Sequence, residues 1–275
     1  MIRIRTLDLS ANIEHKLKPT IFPDGTSQVW HLPEEILRST MLNIVWNFEA
    51  EREVIDLLSL RRILNRKCVI HLHIPFLPYA RQDKDVSNEH SFNLEVLADI
   101  VNSLGCHLVT AVDVHNPKHT ASLIKNFKNI EVDNFHDEVT GKLKPDFIVF
   151  PDKGAYTRYY GSSIPETTKT IVLAKTRDGA TGAITGHEIV LSNPNEMIRH
   201  DATFLIVDDL CDGGATFISV AKELRKLAAH ANINLYVTHG IFSKGRAVLH
   251  DAGIHGIFTT DSLKQVFDMQ NVFEV

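Results

Sequence analysis

The amino-acid sequence predicts an α/β protein in which mostly parallel sheets are flanked by helices. Apolar, strand-like runs alternate along the chain with segments whose apolar residues recur at helical spacing. The run Leu42–Phe48, for example, is followed by Glu51–Leu64, which carries apolar residues on one helical face. Alternation of this kind is typical of parallel sheets, because neighbouring parallel strands need a crossover connection that is usually a helix.

The same alternation accounts for most of the chain. We predict further strands over Cys68–Leu77, His107–Val114, Asp146–Phe150, Thr170–Ala174, Ala183–Leu191, Thr203–Val207, Asn234–Thr238 and Gly256–Thr259. Further helices are predicted over Phe92–Leu104 and Thr216–Ala229, and from Tyr156 onwards. The polar stretch Val132–Pro145 interrupts the pattern. We therefore expect two domains, an N-terminal one over residues 1–134 and a C-terminal one over residues 135–275.

Composition excludes several classes of protein. Hydrophobic residues make up 44% of the 275 residues and charged residues 23%, which are values of a globular chain. The net charge is −5 and no long basic run is present, so we expect no nucleic-acid partner. No apolar run approaches the roughly 20 residues of a membrane span. Three widely spaced cysteines without a CxxC pattern are typical of a reducing compartment. We therefore expect a cytoplasmic protein without membrane contact.

The strongest functional signal is the loop that follows the predicted strand Thr203–Val207. Its residues are Asp208, Asp209, Leu210, Cys211, Asp212, Gly213, Gly214, Ala215 and Thr216. Open α/β sheets bind ligands at the carboxyl ends of their strands, and a glycine loop before a helix presents N–H groups to a phosphate. Asp208 and Asp209 could then accept hydrogen bonds from sugar hydroxyls. The alternative is that Asp212 or Thr216 only caps the helix and the glycines only form the turn.

This loop resembles the ribose-phosphate loop of phosphoribosyltransferases and ribose-phosphate pyrophosphokinases. Other stretches occur in the order of the second family and extend over nearly the whole chain: Phe22-Pro23-Asp24-Gly25, Pro78-Tyr79-Ala80-Arg81-Gln82-Asp83-Lys84, Val112-Asp113-Val114-His115, Pro151-Asp152-Lys153-Gly154 and Thr238-His239-Gly240-Ile241-Phe242. The string from Tyr79 to Asp83 is the most specific of them. The chain is therefore similar to the ribose-phosphate pyrophosphokinase family.

The resemblance implies two phosphoribosyltransferase-like domains and a Mg²⁺-dependent reaction between ATP and ribose 5-phosphate. The implied ATP-binding residues are Phe22, Asp24, Arg81, Gln82 and His115. The implied metal-binding residues are His115 and Asp152. The residues implied to stabilise the transition state are Lys175 and Arg177. The residues implied to bind ribose 5-phosphate are Asp208, Asp209, Asp212, Gly213, Gly214, Ala215 and Thr216.

Residue chemistry alone leaves some of these assignments open. Lys175 and Arg177 follow the predicted strand Ile171–Ala174 and could equally form a solvated strand end. A lysine supplies a point charge and an arginine a bidentate clamp, which suits phosphoryl oxygens. His115 follows an apolar strand and could be an ordinary surface histidine.

The chain departs from the family pattern at several positions. Gly213 stands where most members have threonine, which removes one hydroxyl donor to the 5-phosphate. Thr26 replaces the glutamate that usually ends the adenine loop, and Lys153 replaces a glycine after Asp152. The usual residues of the phosphate and ADP regulatory site are missing between Thr26 and Glu51. We therefore expect activity that does not require inorganic phosphate.

Two other functions remain open from the sequence. One is a non-catalytic homologue that regulates partner subunits, and the other is a phosphoribosyltransferase. The presence of Lys175 and Arg177 with the metal-binding and aspartate positions speaks against the first function. The Arg81-Gln82 loop and the two-domain length speak against the second. In the family, the loop matching Phe22–Gly25 reaches the adenine of a neighbouring subunit, so we expect at least a homodimer.

Overall fold

A computed structural model describes residues 1–8, 14–82, 91–162, 164–177, 184–191, 197–263 and 272–273. For residues 133–137, 175–177, 184–187, 190–191 and 272–273 the description covers the backbone alone. The chain divides into two compact units, whose main parts are Met1–Ile130 and Glu131–Asp261.

The first unit contains a six-stranded sheet and a short hairpin. Its elements in chain order are β1 (Ile2–Thr6), β2 (Glu14–Lys16), β3 (Thr20–Ile21), β4 (Ser27–Gln28), α1 (Glu34–Arg38), β5 (Met41–Trp46), α2 (Glu53–Ile63), β6 (Val69–Ile74), α3 (Asn93–Ser103), β7 (Leu108–Val112), α4 (Pro117–Leu123) and β8 (Phe127–Ile130). The sheet order is β2-β1-β5-β6-β7-β8, and the strands from β5 to β8 are parallel. The pair β3–β4 forms a separate antiparallel hairpin.

The second unit is built on a seven-stranded sheet. Its elements are α5 (Asp133–Leu143), β9 (Phe147–Phe150), α6 (Lys153–Tyr159), β10 (Thr170–Arg177), β11 (Ile184–Leu191), β12 (Thr203–Cys211), α7 (Ala215–Leu227), β13 (Asn232–Gly240), α8 (Ala247–Asp251), β14 (Ile254–Thr260) and β15 (Val272–Phe273). The order is β11-β10-β9-β12-β13-β14-β15, and only β11 is antiparallel to its neighbour among these described strands. The prediction of an α/β fold with mostly parallel sheets is therefore confirmed.

Burial explains why the central parts of β12 and β13 are mostly apolar. Parallel strands at the centre of a sheet are covered by helices on both faces, so successive residues on either side are buried. The stretch Phe204–Val207 is fully buried, as is Ile233–Val237 in β13. Helix α7 contributes Phe217, Val220 and Leu224 to the same core. This packing fixes the carboxyl end of β12 at the sheet edge where the loop begins.

Three features of the structure differ from the sequence-based expectations. The polar stretch Val132–Pro145 contains the helix α5, and the two units divide between Ile130 and Glu131. Strand β10 continues through Arg177 instead of ending at Ala174, because β11 pairs with this part of it. The short elements α4 and β8 follow β7 where no element was predicted.

The longest helix in the described part of the chain, α7, has 13 residues. A helix needs about 20 apolar residues to cross a bilayer. None of the described helices could therefore span a membrane.

The turn between β12 and α7 depends on a glycine with positive φ. Gly214 is the N-cap of α7 and has a φ of 79°. A Cβ at this position would lie 2.8 Å from Cδ2 of Leu249, which belongs to α8 and is buried. Any side chain here would therefore meet both backbone strain and a steric clash.

We predict that Gly214→Ala destabilises the protein more than Gly245→Ala. Gly245 has a similar φ of 76°, but a Cβ there would meet no atom within 4 Å. Gly245→Ala should therefore lower the free energy of unfolding only by the cost of holding alanine in the left-handed conformation, about 1–2 kcal/mol. Gly214→Ala should lower the free energy of unfolding by a further amount of roughly 1–3 kcal/mol, because its methyl group would overpack against Leu249. Urea unfolding of both variants measures the difference, and equal losses would mean that Leu249 moves aside without cost.

Candidate functional site

The carboxyl end of β12 carries two adjacent aspartates. Asp208 and Asp209 lie within the strand, which extends to Cys211 because it pairs with β13 over this length. Both carboxylates therefore stand on the sheet edge at which parallel α/β sheets bind ligands. The adjacent strand β9 ends at the same edge and leads to Asp152.

Asp209 is buried and faces an arginine. Only 7% of Asp209 is exposed, and its Oδ2 lies 3.3 Å from Nη1 of Arg158 on α6. A buried carboxylate is costly without a partner, and the guanidinium compensates its charge. Arg158 is a residue that the sequence analysis missed, since nothing in the local sequence links it to Asp209.

Asp208 has a pKa raised well above the ordinary value of 3.8. Burial is the main cause, and the neighbouring charge of Asp209 is the second. The charge of Asp152 acts in the same direction, whereas the backbone N–H of Asp209, which donates to Oδ1 of Asp208 at 3.0 Å, lowers the pKa. The carboxyl group thus holds its proton more readily than an exposed aspartate. It can both donate to and accept from hydroxyl groups of a ligand.

Asp212 connects the loop to the turn that follows β13. Its Oδ1 accepts a hydrogen bond of 2.6 Å from the hydroxyl of Ser243, which follows β13. Asp212 itself is exposed. Ser243 was also missed by the sequence analysis, because its contact with Asp212 arises only when β12 and β13 lie side by side.

The helix-capping alternative for this loop is wrong. The N-cap residue of α7 is Gly214, and no side chain caps this helix. Asp212 is bonded to Ser243, and Thr216 lies in the first turn. The first N–H groups of a helix have no partner within the helix, so those of Ala215 and Thr216 face outward with the positive end of the dipole. This end of α7 therefore has the character of an anion-binding site.

Cys211 fills the core beneath the loop. Its side chain is fully buried, and its thiol pKa is raised to about 12 by burial first and by the charges of Asp212 and Asp208. A thiol with this pKa stays protonated near neutral pH and is neither a nucleophile nor a metal ligand.

Asp152 lies at the start of α6. Its Oδ1 accepts the backbone N–H of Ala155 at 3.0 Å, so it is the N-cap of this helix. A Cβ on Gly154 would lie 3.0 Å from the same oxygen, which explains a small residue there. The charge of Asp152 is the weakest of the causes that raise the pKa of Asp208.

Lys175 and Arg177 lie inside β10 rather than after it. Lys175 pairs with His187 of β11, and Arg177 pairs with Ile184. The register shifts between Thr176 and Arg177, which indicates a local bulge. The side chains of both basic residues lie outside the described part of the structure.

In the first unit, Phe22 and Asp24 form the turn of the β3–β4 hairpin. Gly25 has a φ of 86°, and the backbone N–H of Phe22 donates to the carbonyl of Thr26 at 2.8 Å. Asp24 accepts hydrogen bonds from the hydroxyl and the N–H of Thr26, at 2.7 and 3.0 Å, and these lower its pKa. Thr26 is therefore an integral part of the turn. The exposed fraction of Phe22 is 38%.

Arg81 and Gln82 lie just before α3 in the chain. Arg81 is exposed, whereas the side-chain oxygen of Gln82 accepts the N–H of Asn93, the first residue of α3, at 2.8 Å. Gln82 thus has a structural role that the sequence did not indicate. Asp83 and Lys84, which complete the same motif, lie outside the described residues.

His115 follows β7 and is exposed. It comes directly after Asp113 and Val114, which are both buried; Asp113 has a positive φ of 41°. Asn116 caps α4 by accepting the N–H of His119 at 3.2 Å. Within the described ranges, no group of three or more His, Cys, Asp or Glu side chains could hold a metal ion on its own.

Fold and site together define a class of protein. A buried parallel strand that ends in carboxylates, followed by a glycine turn and an uncapped helix, is the arrangement of a sugar-phosphate-binding α/β protein. Comparisons with known proteins give the family.

No protein-family model matches the chain. A ribose-phosphate pyrophosphokinase of Mycoplasmopsis pulmonis is 30% identical over 90% of this chain and 77% of its own length. One from Sulfurisphaera tokodaii is 23% identical over 92% of this chain and 85% of its own length. The crystal structure of phosphoribosylpyrophosphate synthetase from Mycobacterium smegmatis has the same fold, with a TM-score of 0.74 at 20% identity over 94% of this chain and 85% of that one. The chain belongs to the ribose-phosphate pyrophosphokinase family, and the resemblance seen in the sequence is confirmed.

We predict that Asp208→Asn stabilises the fold increasingly as pH rises. A carboxyl whose folded-state pKa is raised supports stability below its unfolded pKa and loses that support as pH rises through the folded pKa. The melting temperature of Asp208→Asn should therefore be closest to that of the wild type below about pH 4, where the carboxyl is protonated in both the folded and the unfolded state, and should exceed it by a growing margin as pH rises towards about 8.

Asp209→Asn is the matched control, since it leaves the Arg158 guanidinium without its carboxylate. We expect this variant to be less stable than the wild type near pH 8. A melting-temperature difference for Asp208→Asn that does not change with pH would contradict the raised pKa.

Proposed function

We propose that this chain transfers the diphosphoryl group of ATP to the C1 hydroxyl of ribose 5-phosphate, forming 5-phospho-α-D-ribose 1-diphosphate and AMP. The anomeric oxygen attacks the β-phosphorus, so that an O–Pβ bond forms while the bond from Pβ to the oxygen of AMP breaks. The hydroxyl proton is released to water as the O–Pβ bond forms. Membership of the family supports this reaction.

The single observation that carries the proposal is the loop between β12 and α7. Its helix start has no side-chain cap, and Gly214 allows the turn that presents the backbone N–H groups. We assign this helix start, with Gly213, Ala215 and Thr216, to the 5-phosphate. Asp208 and Asp209 are assigned to the ribose hydroxyls, and Asp212 to holding the loop.

We assign the nucleotide contacts to the first unit. Phe22 and Asp24 sit in a hairpin turn that is stiffened by the hydrogen bonds of Thr26. Because the side-chain oxygen of Gln82 is engaged by Asn93, its amide NH₂ group is the part directed to an acceptor on ATP. Arg81 supplies an exposed cation for the phosphates. In this assignment residues 1–134 bind ATP, and residues 135–275 bind the sugar phosphate.

Lys175 and Arg177 are assigned to the transferring phosphoryl groups. Phosphoryl transfer depends on alignment and on positive charge that neutralises the equatorial oxygens. Strand β10 holds both residues in a segment that pairs with β11, rather than in the solvated strand end that the sequence also allowed.

Mg²⁺ supplies charge neutralisation to the nucleotide phosphates when it is bound. This ion keeps several water and phosphate ligands and uses only one or two carboxylates from protein. That preference fits a chain with no three-ligand cluster among its described side chains. We assign Asp152 and His115 as the protein contacts of the metal-bound nucleotide.

The exposed turn at Phe22 supports a homo-oligomer in which this turn reaches a neighbouring subunit. Ile21 beside it is 55% exposed, so the hairpin tip presents two apolar side chains. Three free, buried cysteines support a reducing compartment, and we assign the enzyme to the cytoplasm.

The reaction is tested by incubating the purified chain with ATP, Mg²⁺ and ribose 5-phosphate and recording phosphorus NMR spectra. We expect AMP and the doublet of a diphosphoryl group attached to C1. Formation of ADP would indicate an ordinary kinase. Absence of turnover would favour the regulatory homologue.

We predict that Lys175→Ala lowers kcat by roughly 10²–10³-fold, the usual loss for one preorganised charge donor. The KM for ribose 5-phosphate should change little, because the lysine acts on charge that develops during transfer. Lys169→Ala is the matched control, since Lys169 precedes β10 and lies 5.9 Å from the ring of Phe147. Steady-state kinetics of both variants provide the test. If the kcat of Lys175→Ala stays within a few-fold of the wild-type value, Lys175 does not take part in catalysis.

A further inference from the structure

The turn that follows β13 lies directly against the sugar-phosphate loop. The N–H groups of Ile241 and Phe242 both donate to the carbonyl of Cys211, at 2.8 and 3.1 Å. The hydroxyl of Ser243 donates to Asp212 at 2.6 Å. These three hydrogen bonds join the segment Ile241–Ser243 to the sugar-phosphate loop.

Backbone geometry, packing and a hydrogen bond all restrict the conformation of this turn. Phe242 has a positive φ of 47°, and its ring is buried against Gly240. A Cβ on Gly240 would lie 2.2 Å from that ring, so only glycine leaves room for it. The N–H of Gly245 closes the turn by donating to the carbonyl of Phe242 at 2.7 Å. The backbone from which Lys244 projects is therefore fixed.

The side chain of Lys244 lies over Gly213. A Cβ at Gly213 would be 3.4 Å from both Cδ and Cε of Lys244 and 3.6 Å from Cγ. The hydrocarbon stem thus runs along the open backbone of the loop, and the ammonium is one bond beyond Cε. Lys244 is exposed and makes no salt bridge to any described residue. Its charge remains available to a ligand.

The charge balance of the loop calls for such a cation. Asp209 and Asp212 bring negative charge to a place that is assigned to a phosphate dianion. Arg158 faces Asp209 rather than the loop backbone. The start of α7 contributes only a partial positive charge, about half an elementary charge.

We propose that Lys244 binds the 5-phosphate of the sugar substrate and takes the place of the hydroxyl that is absent at Gly213. The glycine provides the surface along which the lysine stem lies, and the lysine provides the donor that the glycine lacks. This inference rests on the proposed function, because it names a further binding residue for the same sugar phosphate.

The test is the kinetics of Lys244→Met, which keeps the length of the side chain and removes its charge. We expect the KM for ribose 5-phosphate to rise about 10- to 100-fold, the effect of losing one hydrogen bond to a charged group. The kcat should stay within a few-fold of wild type, since the 5-phosphate is remote from the transferring group. Lys244→Arg should keep most of the affinity.

Lys226→Met is the matched control. It removes one positive charge from the far end of α7, where Lys226 pairs with Glu223 at 2.7 Å. We expect its KM to equal that of the wild type. Lys244→Gln serves as a second neutral variant if Lys244→Met does not fold, and thermal melting of each variant confirms that the fold is kept.

Calorimetric titration with ribose 5-phosphate separates this inference from the proposed function. If the wild type forms no AMP, the proposed reaction fails, and weaker binding by Lys244→Met still supports the role of Lys244. If the wild type is active but Lys244→Met and Lys244→Gln retain wild-type KM and Kd, the inference is overturned. A loss in kcat alone, with unchanged KM and Kd, also overturns it.

Discussion

The adjacent carboxylates at the end of β12 set the arrangement of the elements around them. A strand that is buried on both faces carries Asp208 and Asp209 into a region where burial penalises negative charge. Arg158 compensates Asp209, which requires α6 to lie beside the strand. The pKa of Asp208 is raised by burial and by the charge of Asp209, and to a smaller extent by the charge of Asp152 at the start of α6. Electrostatic cost and ligand-binding chemistry therefore occur in the same few residues.

Close approach of backbone and side chains holds the surrounding loops in place. Gly214 leaves room for Leu249, Gly240 for the ring of Phe242, and Gly213 for the stem of Lys244. In each case the space left by the missing side chain is occupied by a side chain from the turn after β13 or from α8. Because protein interiors tolerate little overlap or empty space, these contacts fix the loops relative to one another. An anion at the start of α7 would meet donors that are already oriented.

Several residues assigned to substrates also support the fold. Gln82 accepts the first N–H of α3, Asp152 caps α6, and Asp24 closes the hairpin turn with Thr26. Each of these side chains loses rotational freedom through a structural hydrogen bond. A group that is already fixed loses less entropy when a ligand binds. Thr26, which departs from the family pattern, is explained by its hydroxyl bond to Asp24.

Periodicity and local motifs were enough to predict the fold class and the main strands, because these depend on contacts near in sequence and on burial. The stretch Asp208–Cys211, which was predicted to begin the loop, instead continues strand β12 because it pairs with β13. The helix α5 was hidden by a polar composition, and the extension of β10 through Arg177 depends on pairing with β11. The partners Arg158 and Ser243 could not be found from sequence, since only the neighbouring positions of β9, β12 and β13 bring them to the aspartates. The sequence by itself determined which chemical groups the site contains. The tertiary structure decided which of them are charged, which are paired and which lysine lies over Gly213, because burial and distance are properties of packed elements.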